Sequence, residues 1–192
     1  MRTNQYPSDW NDPRWEDDVT IEWEVDTSRD QYWWWLRFAG VRTGQSMRMH
    51  FATVYNPVPD MVARLDHLSK RYPAGSFRVD EEGWELRFWA RPVAETPETD
   101  LFELRIEEGS FLGFDEEEED CEVLKTLLLV KTRRMPFVAN LKRILLDVVK
   151  QRRMDVEQSP SGSIDADEMC FELHGKRWKD IIARLDEIET GQ

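Results

Sequence analysis

The sequence predicts an α+β fold: a mainly antiparallel sheet with three helices packed on one face, or the same elements arranged as two related β-α halves. Three observations carry this. Several short segments alternate apolar and polar residues with a period of two. Three longer segments repeat apolar residues at three- and four-residue steps, and one stretch joins both patterns end to end. That stretch runs from Cys121 to Lys150. Between Glu122 and Lys131 the residues Leu124, Leu127, Leu128, Leu129 and Val130 form a run too short for a membrane span and too continuous for a half-exposed strand. It predicts a strand buried on both faces. From Pro136 onward, Phe137, Val138, Leu141, Ile144, Leu145, Val148 and Val149 fall on one stripe, which predicts an amphipathic helix over 136–152 with Pro136 in its first turn.

The remaining elements follow in chain order. Residues 1–18 show no period and predict an irregular arm anchored by Trp10 and Trp15. Val19, Ile21, Trp23 and Val25 alternate with Thr20, Glu22 and Glu24, so a half-buried strand is expected. Trp33 to Phe38 and Met47 to Phe51 predict two more strands, with Gly40 to Gln45 as the turn between them. Met61, Val62, Leu65, Leu68 and Tyr72 predict a helix over 59–72, with Asp60 near its positive end. Phe77 and Val79, then Trp84, Leu86 and Phe88, flank a Gly83-containing turn and predict a hairpin. Residues 19–91 thus form a β-β-β-α-β-β half, and 92–100, with Pro92 and Pro97, is the best linker candidate.

Residues 101–192 predict a β-β-α-β-α half, although one continuous domain would carry the same elements. Phe102, Leu104 and Ile106 mark its first strand, Met169 to Leu173 its last, and Trp178, Ile181, Ile182, Leu185 and Ile188 a terminal helix over 176–189. Residues 49–51 and 60–68 correspond without a gap to 169–171 and 180–188. Duplication would explain this, and so would the spacing that every amphipathic helix shares.

Composition narrows the function classes. With 40% hydrophobic and 11% aromatic residues in 192, the chain can build a core, which excludes wholesale disorder. A formal charge of −13 repels phosphate backbones and attracts basic partners. No window approaches the ~20 apolar residues of a membrane span, and residues 1–15 lack a secretory-type apolar core, so a cytoplasmic protein without membrane contact is expected. Cys121 and Cys170 lie in strand-like runs outside any ligand spacing and predict buried free thiols.

Strand parity supplies the candidate site. If Leu36 and Phe38 face the core, Trp33, Trp35 and Arg37 face away; Arg48 and His50 lie opposite Met47 and Met49; Arg87, Trp89 and Arg91 lie opposite Leu86 and Phe88. On one sheet these eight residues would form a tryptophan–arginine–histidine face suited to a protein hot spot or to a planar or anionic ligand. The competing expectation is an ordinary polar sheet face with cross-strand Arg–Trp stacking. The run Asp115, Glu116, Glu117, Glu118, Glu119 and Asp120 predicts a solvated loop and an acidic docking surface. It lacks the alternating acids and turn glycine of an EF-hand loop, so no metal site is predicted.

Lys131, Arg133, Arg134, Lys142, Arg143, Lys150, Arg152 and Arg153 form an opposite block whose lysines and arginines on the helix predict a solvated face. His50, His67 and His174 fall on separate elements, and no nucleophile elbow, phosphate loop, dinucleotide fingerprint or zinc-binding helix motif occurs, so neither a catalytic residue nor a cofactor is assigned. These features point to a non-enzymatic acidic protein that binds a basic protein, such as an inhibitor or immunity-type partner of a basic effector. Two alternatives stand beside it: a binder, or enzyme, of small phosphate-bearing ligands using the Trp/Arg/His face, and a nucleic-acid contact through residues 131–153.

Overall fold

The computed structural model describes residues 9–10, 12–26, 33–51, 57–70, 75–80, 84–93, 100–110, 122–157, 170–171 and 176–190. After a short 3-10 turn at Pro13–Trp15 come β1 (Val19–Asp26), β2 (Trp33–Gly40), β3 (Ser46–Phe51) and α1 (Val58–Ser69). Then follow β4 (Gly75–Asp80), β5 (Trp84–Pro92), β6 (Leu101–Ser110), β7 (Glu122–Arg133), α2 (Arg134–Glu157), β8 (Cys170–Phe171), β9 (Lys176–Arg177) and α3 (Trp178–Glu187). The fold is α+β. Its strands form an antiparallel β1-β2-β3 sheet, an antiparallel β4-β5-β6-β7 sheet and a two-stranded β8-β9 ladder.

Alternation decides which face of each strand is buried. Ile21, Leu36, Phe38, Met47 and Met49 of the first sheet, and Leu86, Phe88, Phe102, Leu104, Ile106, Leu128 and Val130 of the second, join one core with the apolar stripes of all three helices. Phe38 meets Phe88 edge-on at 5.6 Å between ring centroids, linking the sheets, and Phe102 meets Phe137 of α2 at 5.2 Å. No helix among the described residues is long and apolar enough to cross a membrane.

The strands on either side of the expected linker 92–100, β5 and β6, pair from Trp84↔Ser110 to Pro92↔Phe102. Residues 94–99 of that segment lie outside the described residues. α1 starts at Val58 and α3 at Trp178, and Met61 and Leu65 are buried like Ile181 and Leu185, as either explanation of the echo requires. Residue 169 and most of the chain between each strand of the echo and its helix lie outside the described residues, so the correspondence is described for the helices.

β7 departs from the strand expected to be buried on both faces. It ends its sheet, and among its described side chains Leu128 to Thr132 are buried in succession, whereas Lys125 and Thr126 are exposed. Burial begins where other chain segments cover the strand edge. The Leu129 N–H donates to the side-chain Oε1 of Gln45 at 2.8 Å, and the Lys131 carbonyl accepts from the Asp17 N–H at 2.8 Å. Glu16 and Lys131 form a parallel bridge. An edge that would otherwise offer its backbone groups to another chain is thus partly occupied from within.

Asp17 also fixes the turn after β2. Its buried carboxylate accepts from the backbone N–H of Arg42 at 2.9 and 3.1 Å and of Thr43 at 2.8 Å. Gly40 is required beneath it: an added Cβ would sit 2.3 Å from Thr43 Oγ1 and 2.6 Å from Asp17 Oδ2. Gly44, at φ +66°, supplies the left-handed residue of the turn.

Charged side chains tie the helix ends together. The Arg134 N–H donates to the Asp100 carbonyl at 2.6 Å and the Met135 N–H to Asp100 Oδ2 at 3.0 Å, so Asp100 satisfies the start of α2 from the chain entering β6. Arg134 in turn donates through Nη1 to the carbonyls of Leu68 and Ser69 at 3.0 and 2.9 Å, closing the end of α1. Lys142 does the same for α3 through the carbonyls of Asp186 and Ile188. Asp66 joins α1 to α3 by pairing with Lys70 at 2.7 Å and Arg184 at 3.5 Å. Burial pushes the Asp66 carboxyl up, but Lys70 and Arg184 outweigh it and hold it below the usual aspartate value.

Candidate functional site

The eight residues expected on one sheet divide between two. β3 is followed by α1, and the next strand opens a new sheet, so Trp33, Trp35, Arg37, Arg48 and His50 belong to β1-β2-β3 while Arg87, Trp89 and Arg91 belong to β4-β5-β6-β7. The expected single Trp/Arg/His face therefore divides into one face on each sheet. Parity within each strand agrees with the expectation, since Leu36, Phe38, Met47, Met49, Leu86 and Phe88 are buried.

On the first sheet, register sets Glu22, Arg37 and Arg48 in one row and Glu24, Trp35 and His50 in the next. Arg37 Nη1 lies 3.6 Å from Glu22 Oε2. Arg48 forms an ion pair with Glu24, and its guanidinium lies 4.2 Å from the centroid of the half-buried Trp35 ring. These four charged side chains are exposed, from 50% for Arg48 to 67% for Glu22, so their pairs can be exchanged for others at small cost. They border an open depression of about 700 Å³, lined also by Trp23, Ser46 and Met47. The side chains of Trp33 and His50 lie outside the described part of the structure. Glu22 and Glu24 were absent from the expected site, although the alternation of β1 already placed them opposite Ile21 and Trp23.

The second sheet spends similar residues on itself. Arg91 grips Glu103 with Nε and Nη2 at 2.8 and 3.2 Å. Arg105 donates to Glu103 at 3.1 Å and to Glu107 at 3.5 Å, and the Trp89 indole N–H donates to Glu107 at 3.0 Å. The Arg87 guanidinium lies 5.6 Å from the Trp89 ring. Glu103, Arg105, Glu107 and Lys131 are buried, and Trp10 of the N-terminal arm covers the Lys131 ammonium at 4.9 Å. This is an alternating-sign ladder held inside the protein. Parity of β6 would have located it, because Glu103, Arg105 and Glu107 alternate with Phe102, Leu104 and Ile106.

The acidic run Asp115 to Asp120 lies outside the described residues. Within the basic block, Lys131 is buried, Arg134 and Lys142 hold helix ends, and Arg143 pairs with Asp147 at 3.4 Å and Asn140 at 3.0 Å. The solvated face expected of Lys142 is thus replaced by a contact with α3. Arg133, Arg143 and Lys150 are exposed; the side chains of Arg152 and Arg153 lie outside the described part. Comparison with protein-family models, curated proteins and solved structures returned no match.

Proposed function

We propose that this chain is a protein-binding protein that engages a basic partner, with the outer face of β1-β2-β3 at the centre of the contact. The supporting observation is the depression around Trp35, where an indole sits under a guanidinium between exposed Glu22 and Glu24. A half-buried tryptophan ringed by exchangeable polar side chains has the character of an interface hot spot. The net charge of −13 accelerates encounter with a cationic surface. A small anionic ligand is the second reading, favoured by the volume of the depression and by Arg37 and Arg48. Two carboxylates in the same lining oppose it.

The test is affinity capture from the source cells with the full chain, its Trp35→Ala variant and its Glu22→Gln/Glu24→Gln variant, followed by titration of each purified partner. The expected result is a basic protein released by rising salt, whose affinity falls roughly 30-fold with Trp35→Ala. Retention of the same proteins by both variants overturns the proposal. Quenching of tryptophan fluorescence by nucleotides or sugars, lost with Trp35→Ala, replaces it with the second reading.

A further inference from the structure

The Glu24–Trp35 pair already holds a guanidinium, its own Arg48. One carboxylate and one indole face converge on that group from different strands: Glu24 on β1 supplies the ion pair and Trp35 on β2 the stacking surface at 4.2 Å, while Arg48 reaches in from β3. Those are the two contacts by which a protein distinguishes arginine from lysine, because a guanidinium is planar, stacks on a ring and forks onto a carboxylate, whereas an ammonium is a point charge. Arg48 is half exposed on a flexible stem and belongs to the sheet face rather than the core. An ion pair exposed to this extent contributes little, so a swing of Arg48 out of the site costs the fold little.

We infer that Glu24 and Trp35 form an arginine-recognition site which Arg48 fills as an internal stand-in until a partner's arginine displaces it. This rests on the protein-binding reading above and names the chemistry of the partner. Glu22 stands two residues before Glu24 on the same face of β1, about 7 Å away along the strand, and is ion-paired with Arg37 at 3.6 Å. An extended Arg-x-Arg segment presents two guanidinium groups at that spacing. The occupant is therefore an arginine-bearing strand or loop of a basic protein, with its first arginine on one glutamate and its second between the other and the indole.

The mechanism makes an unusual demand: removing a positive residue must strengthen binding of a positive ligand by more than charge alone provides. Arg48→Ala vacates the site, while Arg143→Ala removes the same charge at a distant exposed position. The probes are an acetylated, amidated Gly-Arg-Val-Arg-Gly peptide and its Gly-Lys-Val-Lys-Gly counterpart, titrated by tryptophan fluorescence and by the indole N–H resonance of Trp35. The intact chain binds the arginine peptide weakly. Arg48→Ala binds it roughly 3- to 30-fold more tightly, the combined worth of one exposed cation–π contact and one exposed ion pair. Arg143→Ala leaves it unchanged, and adding Glu24→Gln or Trp35→Ala to Arg48→Ala abolishes the gain.

Equal binding of the lysine peptide to Arg48→Ala overturns the inference, since only general attraction to an acidic surface would then operate. So does an affinity unchanged by Arg48→Ala, or no binding by that variant at millimolar peptide. None of these results touches capture of a partner that depends on Trp35 through other contacts. Retained capture by Trp35→Ala together with arginine-selective peptide binding would instead sink the wider proposal and leave the site standing.

Discussion

Replacing Asp17 by alanine probes the joint between the first sheet and the edge of β7. The Asp17 side chain has no solvent exposure, and its carboxylate accepts the backbone N–H groups of Arg42 and Thr43. Arg42 Nε lies 3.9 Å away, but that side chain is 63% exposed and adds little. Hydrogen bonds to a charged group contribute about 1.5–3 kcal/mol each, and a stranded buried donor costs about 1–3 kcal/mol. Two stranded amides put the loss from Asp17→Ala at roughly 3–5 kcal/mol, a large share of the ~5–15 kcal/mol that holds a domain folded. The bond from the Asp17 N–H to the Lys131 carbonyl is backbone and survives, so the carboxylate alone is tested.

The same group sets an acid dependence. Burial pushes the Asp17 carboxyl up, but the Thr43 and Arg42 amides outweigh burial and hold it below the ordinary aspartate value. A group depressed in the folded state stabilises fully above its unfolded pKa, near ~3.9, and that stabilisation drains as pH falls through the lower folded value. Urea titrations at pH 7 and at steps down to about pH 3 should therefore show Asp17→Asn well below the intact chain at neutrality, with the gap closing below about pH 4. An Asp17→Ala loss under about 0.5 kcal/mol, the range of ordinary surface changes, would refute the assignment. So would a gap to Asp17→Asn that ignores pH.

Gly40→Ala should cost about 1–3 kcal/mol, because its Cβ would meet Asp17 Oδ2 and Thr43 Oγ1 at under 3 Å. The cost should shrink in an Asp17→Ala background, and strict additivity in that double-mutant cycle would show that the two do not share one cap. Arg134→Met keeps the stem but leaves Asp100 Oδ1 and the Leu68 and Ser69 carbonyls without the guanidinium, so a loss of roughly 2–4 kcal/mol is expected by urea unfolding. Amide exchange should speed up selectively in the last turn of α1, and exchange that rises evenly over the chain would reject the helix-end role.

Side-chain facing is a local property and is legible in the sequence. Met47 and Met49 face in and Arg48 out because consecutive side chains on a strand must oppose each other, a fact of covalent geometry that needs no tertiary knowledge. Helix limits moved where the deciding group lay far away in the chain. The expected helix at 136–152 begins at Arg134 because Asp100 reaches its first N–H groups, and no local pattern announces that contact. Sheet membership was likewise hidden: nothing near Arg87, Trp89 or Arg91 says that β5 pairs with β6 and not with the strands before α1. Lys142 looked like a solvated base because the carbonyls it serves belong to α3, some forty residues on.

The two sheet faces use the same residue types to opposite ends, and burial separates them. In the second sheet, Arg105 at 7% and Glu103 at 3% side-chain exposure cannot trade partners, since breaking one side of a buried pair costs about 3–5 kcal/mol. Trp89 is tied to the same ladder through Glu107, and Trp10 closes over Lys131. In the first sheet, Arg48 and Glu24 are 50% and 59% exposed, where an ion pair contributes about 0–1 kcal/mol and is replaced by water or by another side chain with little loss. A partner can therefore redistribute the charges of one face and not of the other. Partner-dependent change in indole and guanidinium resonances should fall on Trp35, Arg37 and Arg48, while those of Trp89, Arg91 and Arg105 hold their positions, because only the first set can change hands without opening the fold.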